Sequence, residues 1–164
     1  TDKEKLIYIF NLRKQFPDLQ IVAPVINAQL KETFINAAEV HPLSKEEIAA
    51  KLFASYLFER DVARYCADLF SPAEGPDEYD IQQFRVTADN PWAGKPYGDA
   101  LVSLKRSYNV VLMGLATGRD GDWELLKNPP DRTLIAVGDM LILGASGAAA
   151  EAVSEAFGVN EGRD

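Results

Sequence analysis

The sequence predicts an α/β protein: a partial lobe built on parallel-sheet logic, a long helical stretch, and then a small α+β lobe. Three observations carry this. Residues 1 to 43 alternate helix with short strand, the order that lays a parallel sheet against helices. Ser44 to Phe70 (SKEEIAAKLFASYLFERDVARYCADLF) keeps helical spacing throughout, with apolar residues on more than one face. After Ser71 to Asp80 (SPAEGPDEYD), where two prolines, a glycine and four acids mark a linker or hinge, the period turns strand-like.

Thr1-Asp2-Lys3-Glu4 has the capping-box pattern. Leu6, Ile9, Phe10 and Leu12 follow at helical spacing, and Pro17 stops that helix after Phe16. Ile21 to Val25 (IVAPV) reads as a strand buried on both faces, with Pro24 favouring a place near a sheet edge. Asn27 caps a helix over Ala28 to Ala38. Val40-His41-Pro42 is a short strand or turn. Two such strands do not complete a parallel sheet, so residues 1–43 read as the second half of a Rossmann-like lobe. The glycine-rich phosphate turn and the acidic ribose ligand of such a lobe belong to its first half, and neither is located in this sequence. The start at a helix cap suggests a fragment of something longer.

Ser44 opens a second capping box with Glu47. Ile48, Leu52, Phe53, Tyr56, Leu57, Val62, Tyr65, Leu69 and Phe70 give the Ser44 stretch more apolar surface than one small lobe can cover, and Glu59-Arg60-Asp61 is a polar break where a turn fits. A central core helix is the plainer reading; an excess of apolar face marks a partner.

Beyond the linker, Tyr79 to Val86 reads as a strand with Ile81 and Phe84 in the core, Asp99 as the cap of a helix through Leu104 and Arg106, and Val110 to Ala116 as a strand. Thr117 to Asp122 turns into a returning strand, Trp123 to Leu126. Leu134 to Val137 and Met140 to Leu143 are strands flanking the Gly138-Asp139 turn, and Ala145 to Phe157 is a helix ended by Gly158.

Composition narrows the function. Of 164 residues, 47% are apolar and 26% charged, ordinary for a globular protein. A net charge of −8 argues against a nucleic-acid partner, which needs a basic surface. The single cysteine, Cys66, excludes an internal disulfide and a Cys-based zinc cluster, and reads as a buried small hydrophobe. No apolar run is long enough to enter a membrane directly.

The stretch Val110 to Gly144, with the turn and helix before it, resembles the C-terminal lobe of RCK domains (regulators of potassium conductance, or TrkA-C domains). The carriers are Ala93-Gly94-Lys95, Asp99 to Leu104, Val110 to Leu115, the hairpin Arg119 to Glu124, Asn128-Pro129, and Gly138-Asp139 before Met140 to Leu143. Residues 1 to 70 are similar to the second half of the RCK N-terminal lobe plus its crossover. The resemblance implies residues 1–43 as a partial Rossmann-like lobe, 44–75 as crossover helices and hinge, and 76–164 as the RCK C-terminal lobe. It implies a homodimer joined through Ile48, Leu52, Phe53, Tyr56, Leu57, Val62, Tyr65 and Leu69, assembled into a gating ring. The function it implies is a ligand-sensing domain on the cytoplasmic face of a potassium channel, attached to a transmembrane pore of the same chain or of a partner subunit. No cofactor is required; calcium or a nucleotide is the implied effector. A regulatory domain of a cation transporter or antiporter is the alternative, and a fragment of a nicotinamide-dependent oxidoreductase the further one.

Few residues point to chemistry of their own. Asp120, Asp122 and Glu124 alternate across the hairpin turn, where oxygen ligands suit a hard cation such as calcium, although a solvated Asp-Gly turn is the plainer reading, since a full calcium loop carries more ligands. Glu74, Asp77, Glu78 and Asp80 raise the same pair of readings at the hinge. Gly144-Ala145-Ser146-Gly147 sits where a helix start can hold an anion, without the Gly-x-Gly-x-x-Gly spacing. His41, the sole histidine, cannot make a catalytic zinc set and reads as a packed strand end; hydrolase chemistry is poorly supported and no catalytic residue is assigned. Trp92 and Trp123 read as lobe anchors.

Overall fold

Residues 1–38, 40–119 and 122–162 are described by the computed structural model. The chain forms two units, residues 1–64 and 65–164.

The first unit opens with α1 (Asp2–Gln15), whose capping box is complete: Thr1 accepts from the Glu4 N–H and the Glu4 side chain reaches back. Then come β1 (Val22–Pro24), one 3-10 turn capped by Asn27 (Ala28–Leu30), α2 (Lys31–Ala38) and β2 (His41–Leu43). β1 and β2 pair in parallel, Val22 opposite His41. Ile9, Ala23, Val25, Phe34 and Val40 make a small core. The expected two-sided burial of β1 is not realised: Ala23 is buried while Val22 and Pro24 are exposed, because the two-stranded sheet is covered on one side only. His41 is likewise exposed, not packed. Asp2 joins the start of α1 to the end of β1, accepting from the N–H groups of Ile26 (3.1 Å) and Asn27 (2.9 Å).

The Asn27 N–H is the main cause that holds the Asp2 carboxyl below its ordinary range; desolvation opposes it, and Ile26 and Lys5 add to it. A depressed carboxyl contributes stability above its unfolded pKa and loses it as pH falls through the folded one. Asp2→Asn should therefore lower the melting temperature of residues 1–64 at neutral pH, and the gap to wild type should close as pH falls below about 4. A gap of equal size at neutral pH and at pH 3 in thermal melts followed by circular dichroism would refute this.

The Ser44 stretch is two helices, α3 (Lys45–Phe58) and α4 (Arg60–Leu69), broken at Glu59, inside the polar break.

The second unit is an antiparallel sheet in the order β3-β6-β4-β5, made of β3 (Tyr79–Arg85), β4 (Val111–Arg119), β5 (Asp122–Lys127) and β6 (Met140–Ser146). α5 (Tyr97–Tyr108) and α6 (Gly147–Phe157) belong with it. Its core holds Phe84, Tyr97, Leu104, Leu115, Leu141 and Val153 among others, and the Trp92 side chain packs on that core. The buried Tyr97 hydroxyl donates to the Leu112 carbonyl at 2.8 Å. The Gly138-Asp139 turn works through both residues: Gly138 takes φ 98°, open to glycine, and the Asp139 carboxylate accepts from the Ala136 N–H at 2.7 Å.

Several expectations are corrected here. Ile81 is exposed and its neighbour Asp80 buried, because β3 turns 80 and 84 inward and 79, 81 and 85 outward. Asp99 is not the cap of α5; the helix starts two residues earlier behind Pro96, with no side-chain cap. Leu134 to Val137 is no strand: it reaches only an isolated bridge, Leu134 with Pro96, and Ile135 exchanges backbone hydrogen bonds with the turn at Gly94 and Lys95. β6 runs on to Ser146, which caps α6 by accepting from the Ala149 N–H at 3.4 Å.

Candidate functional site: the helical pair and the linker

The apolar surface of α3 follows from its sequence. Its apolar residues are spread around the cylinder, and not one residue of α3 is buried. Phe53, Leu57 and Phe58 are 70%, 81% and 86% exposed. Ile48 and Tyr56 are exposed and Leu52 is half-buried. On α4, Val62 and Tyr65 are exposed and Cys66 is half-buried. Leu69 differs from its expected role, since it is buried within this chain and is taken up by its packing. The Ser44 hydroxyl accepts from the Glu47 N–H at 3.3 Å, while the Glu47 carboxylate pairs with Lys31 of α2 and does not close the expected box.

The remaining candidates separate clearly. Asp120 lies outside the described residues, as does the side chain of Asp122; Glu124 is exposed on β5. Among the described residues no three His, Cys, Asp or Glu side chains come together to hold a metal ion. The first turn of α6 is not an anion site. Its N–H groups are taken: Gly147 donates to the Glu78 carbonyl (3.0 Å) and Ala148 to the Pro76 carbonyl (3.1 Å). This close approach needs Gly147, since a Cβ there would lie 2.6 Å from the Gly75 oxygen.

The linker is built from its own acids. The Glu78 carboxylate accepts from the N–H groups of Glu74 (2.7 Å) and Gly75 (3.2 Å). Asp80 accepts from the Ala73 N–H at 3.1 Å through one oxygen, and its other oxygen, Oδ1, is buried without a partner. Two of the four hinge acids thus order the segment, a use that composition could not distinguish from solvation.

No protein-family model matches the sequence. No curated protein matches it either. Solved structures do match. The human SLO3 gating ring aligns with 95% of this chain and 31% of its own at a TM-score of 0.72 and 12% identity. The RCK domain of GsuK aligns over 96% of this chain and 31% of its own (TM-score 0.45, 16% identity). The RCK C domain of the potassium transport protein KtrA, solved with cyclic diadenosine monophosphate, aligns over 62% of this chain and 95% of its own (TM-score 0.40, 18% identity). The chain has the RCK fold, a parallel-sheet partial lobe followed by an antiparallel C-terminal lobe, and it is the gating-ring structure that shows it. The chain spans about a third or less of the solved channel and gating-ring chains it matches.

Proposed function

We propose that the chain is a ligand-sensing regulatory domain of a potassium channel, on the cytoplasmic face of the membrane, acting as a dimer within a larger ring and catalysing no reaction. Residues 1–43 are its partial N-terminal lobe, 44–75 its crossover and hinge, and 76–164 its C-terminal lobe. The observation that carries this is α3, an apolar helix of 14 residues with nothing buried. Surface of that kind, on a fold shared with a gating ring, is an intersubunit surface. A ligand that prefers one arrangement of the paired domains biases the pore by its differential affinity. The pore it acts on belongs to the same longer chain or to a partner subunit; among the described residues no helix is long and apolar enough to cross a membrane.

The test has two arms. Sedimentation should find a dimer at micromolar concentration, and a monomer at the highest attainable concentration would end the dimer reading. Calcium, adenine nucleotides and cyclic dinucleotides should then be screened by thermal shift, because a ligand that binds only the folded state raises its stability. At least one should raise the melting temperature and alter the small-angle scattering of the dimer; a panel with no such member would end the sensing reading.

A further inference from the structure

Asp80 is 8% exposed, and Oδ1 has no hydrogen-bond partner. A buried carboxylate oxygen without a donor is costly. Asp80 lines a crease of about 380 Å³ bounded by Leu69 to Pro72 on one side and Glu161 and Gly162 on another, with Asp80 to Gln83 of β3 as its third wall. Among the described residues, the charged side chains that line it are the two acids Asp80 and Glu161. The crease continues into a second one lined by Glu74, Glu151 and Glu161, with no lysine or arginine among its described lining residues.

The backbone beside the crease is also open. β3 is an edge strand. Phe84, Gln82 and Asp80 face β6, opposite Leu141, Leu143 and Ala145, so the N–H and C=O groups of the odd-numbered residues point outward. The Gln83 carbonyl accepts from the Gly162 N–H at 2.9 Å, and Phe84 bridges Glu161, the last pairing on this edge among the described residues. No described strand pairs with Tyr79 or Ile81 on that side.

We propose that this crease receives an extended basic peptide segment of a partner protein, its backbone pairing with β3 at Tyr79 to Ile81 and an arginine or lysine side chain donating to Asp80 Oδ1. An edge strand supplies main-chain pairing, and an alternate side chain reaches the flanking pocket. Among the described residues no three acids converge into a metal ligand set, whereas a guanidinium needs only one carboxylate and neighbouring oxygens.

The probe is a fluorescein-labelled heptapeptide alternating arginine with valine and threonine, titrated against the 164-residue chain by anisotropy. Saturable binding is expected, with slowed amide exchange at Ile81 by NMR. Asp80→Asn, which retains the acceptor for Ala73, should weaken binding at least fivefold, and Glu161→Gln should weaken it less. A peptide N-methylated on its pairing face should lose binding as well. Equal binding of the N-methylated peptide would reduce the effect to bulk charge and overturn the proposal. So would no binding, unchanged affinity of Asp80→Asn, or protection mapped elsewhere.

Discussion

Replacing Phe53 and Leu57 together by aspartate should convert the proposed dimer to a monomer without unfolding the chain. Both side chains are more than two-thirds exposed, so the monomer's own packing hardly uses them. The cost to the folded monomer is that of two unfavourable helix residues, roughly 0.5 kcal/mol each. In the dimer the same two positions would bury carboxylates without partners, at several kcal/mol per ion. Even about 4 kcal/mol in total raises the dissociation constant roughly a thousandfold. Sedimentation should therefore show a single monomeric species, with far-UV circular dichroism unchanged. Leu69→Asp is the useful contrast: Leu69 is buried, so that variant should lose folded signal and not just its partner. A double variant that still sediments as a dimer would place the interface elsewhere.

The helical order was legible because it rests on local chemistry. Ser44, Asn27 and Thr1 name three helix starts by their side-chain acceptors, and the structure uses all three. The break in the Ser44 stretch was visible as Glu59-Arg60-Asp61 and falls at Glu59. The gating-ring likeness accords with the ordered C-terminal motifs. What was not legible depended on tertiary partners. Ile81 and Phe84 are equally apolar in a strand-like run, but odd and even positions of β3 face opposite sides, and only the pairing register with β6 says which is inside. Leu134 to Val137 has strand composition, but it meets a turn at Gly94 and Lys95 and reaches only an isolated bridge to Pro96. The helix start at Tyr97 has no polar cap to announce it.

The linker shows the same limit at the level of the site. Four acids in ten residues look alike in sequence, and a solvated charge run explains them. In the fold they divide: Glu78 holds two N–H groups of the turn, and Asp80 is buried with one oxygen on Ala73 and one on nothing. Sequence gave no sign of this, since Asp80 goes inward only because it shares a strand face with Phe84.

Phe84→Ala should be the most damaging single truncation in the C-terminal unit. Phe84 is 1% exposed and lies opposite Leu141 in the sheet. Its ring meets that of Phe157 edge-on, centroids 6.0 Å apart at 90°, which fastens α6 to β3. Removing a buried phenylalanine costs about 3–5 kcal/mol through lost transfer energy and a cavity, of which the edge-on pair supplies about 0.5–1.5 kcal/mol. That is a large share of the roughly 5–15 kcal/mol available to a domain. Ile81→Ala removes an apolar side chain three residues away on the outward face and should cost about 1 kcal/mol or less. Urea unfolding followed by near-UV circular dichroism will report both, with Phe157→Ala and the double variant closing a cycle on the ring pair. Equal losses for Phe84→Ala and Ile81→Ala would contradict the observed register. A loss confined to Phe84→Ala ties the stability of the C-terminal unit, and with it the seat of α6 against the linker, to the inward face of β3.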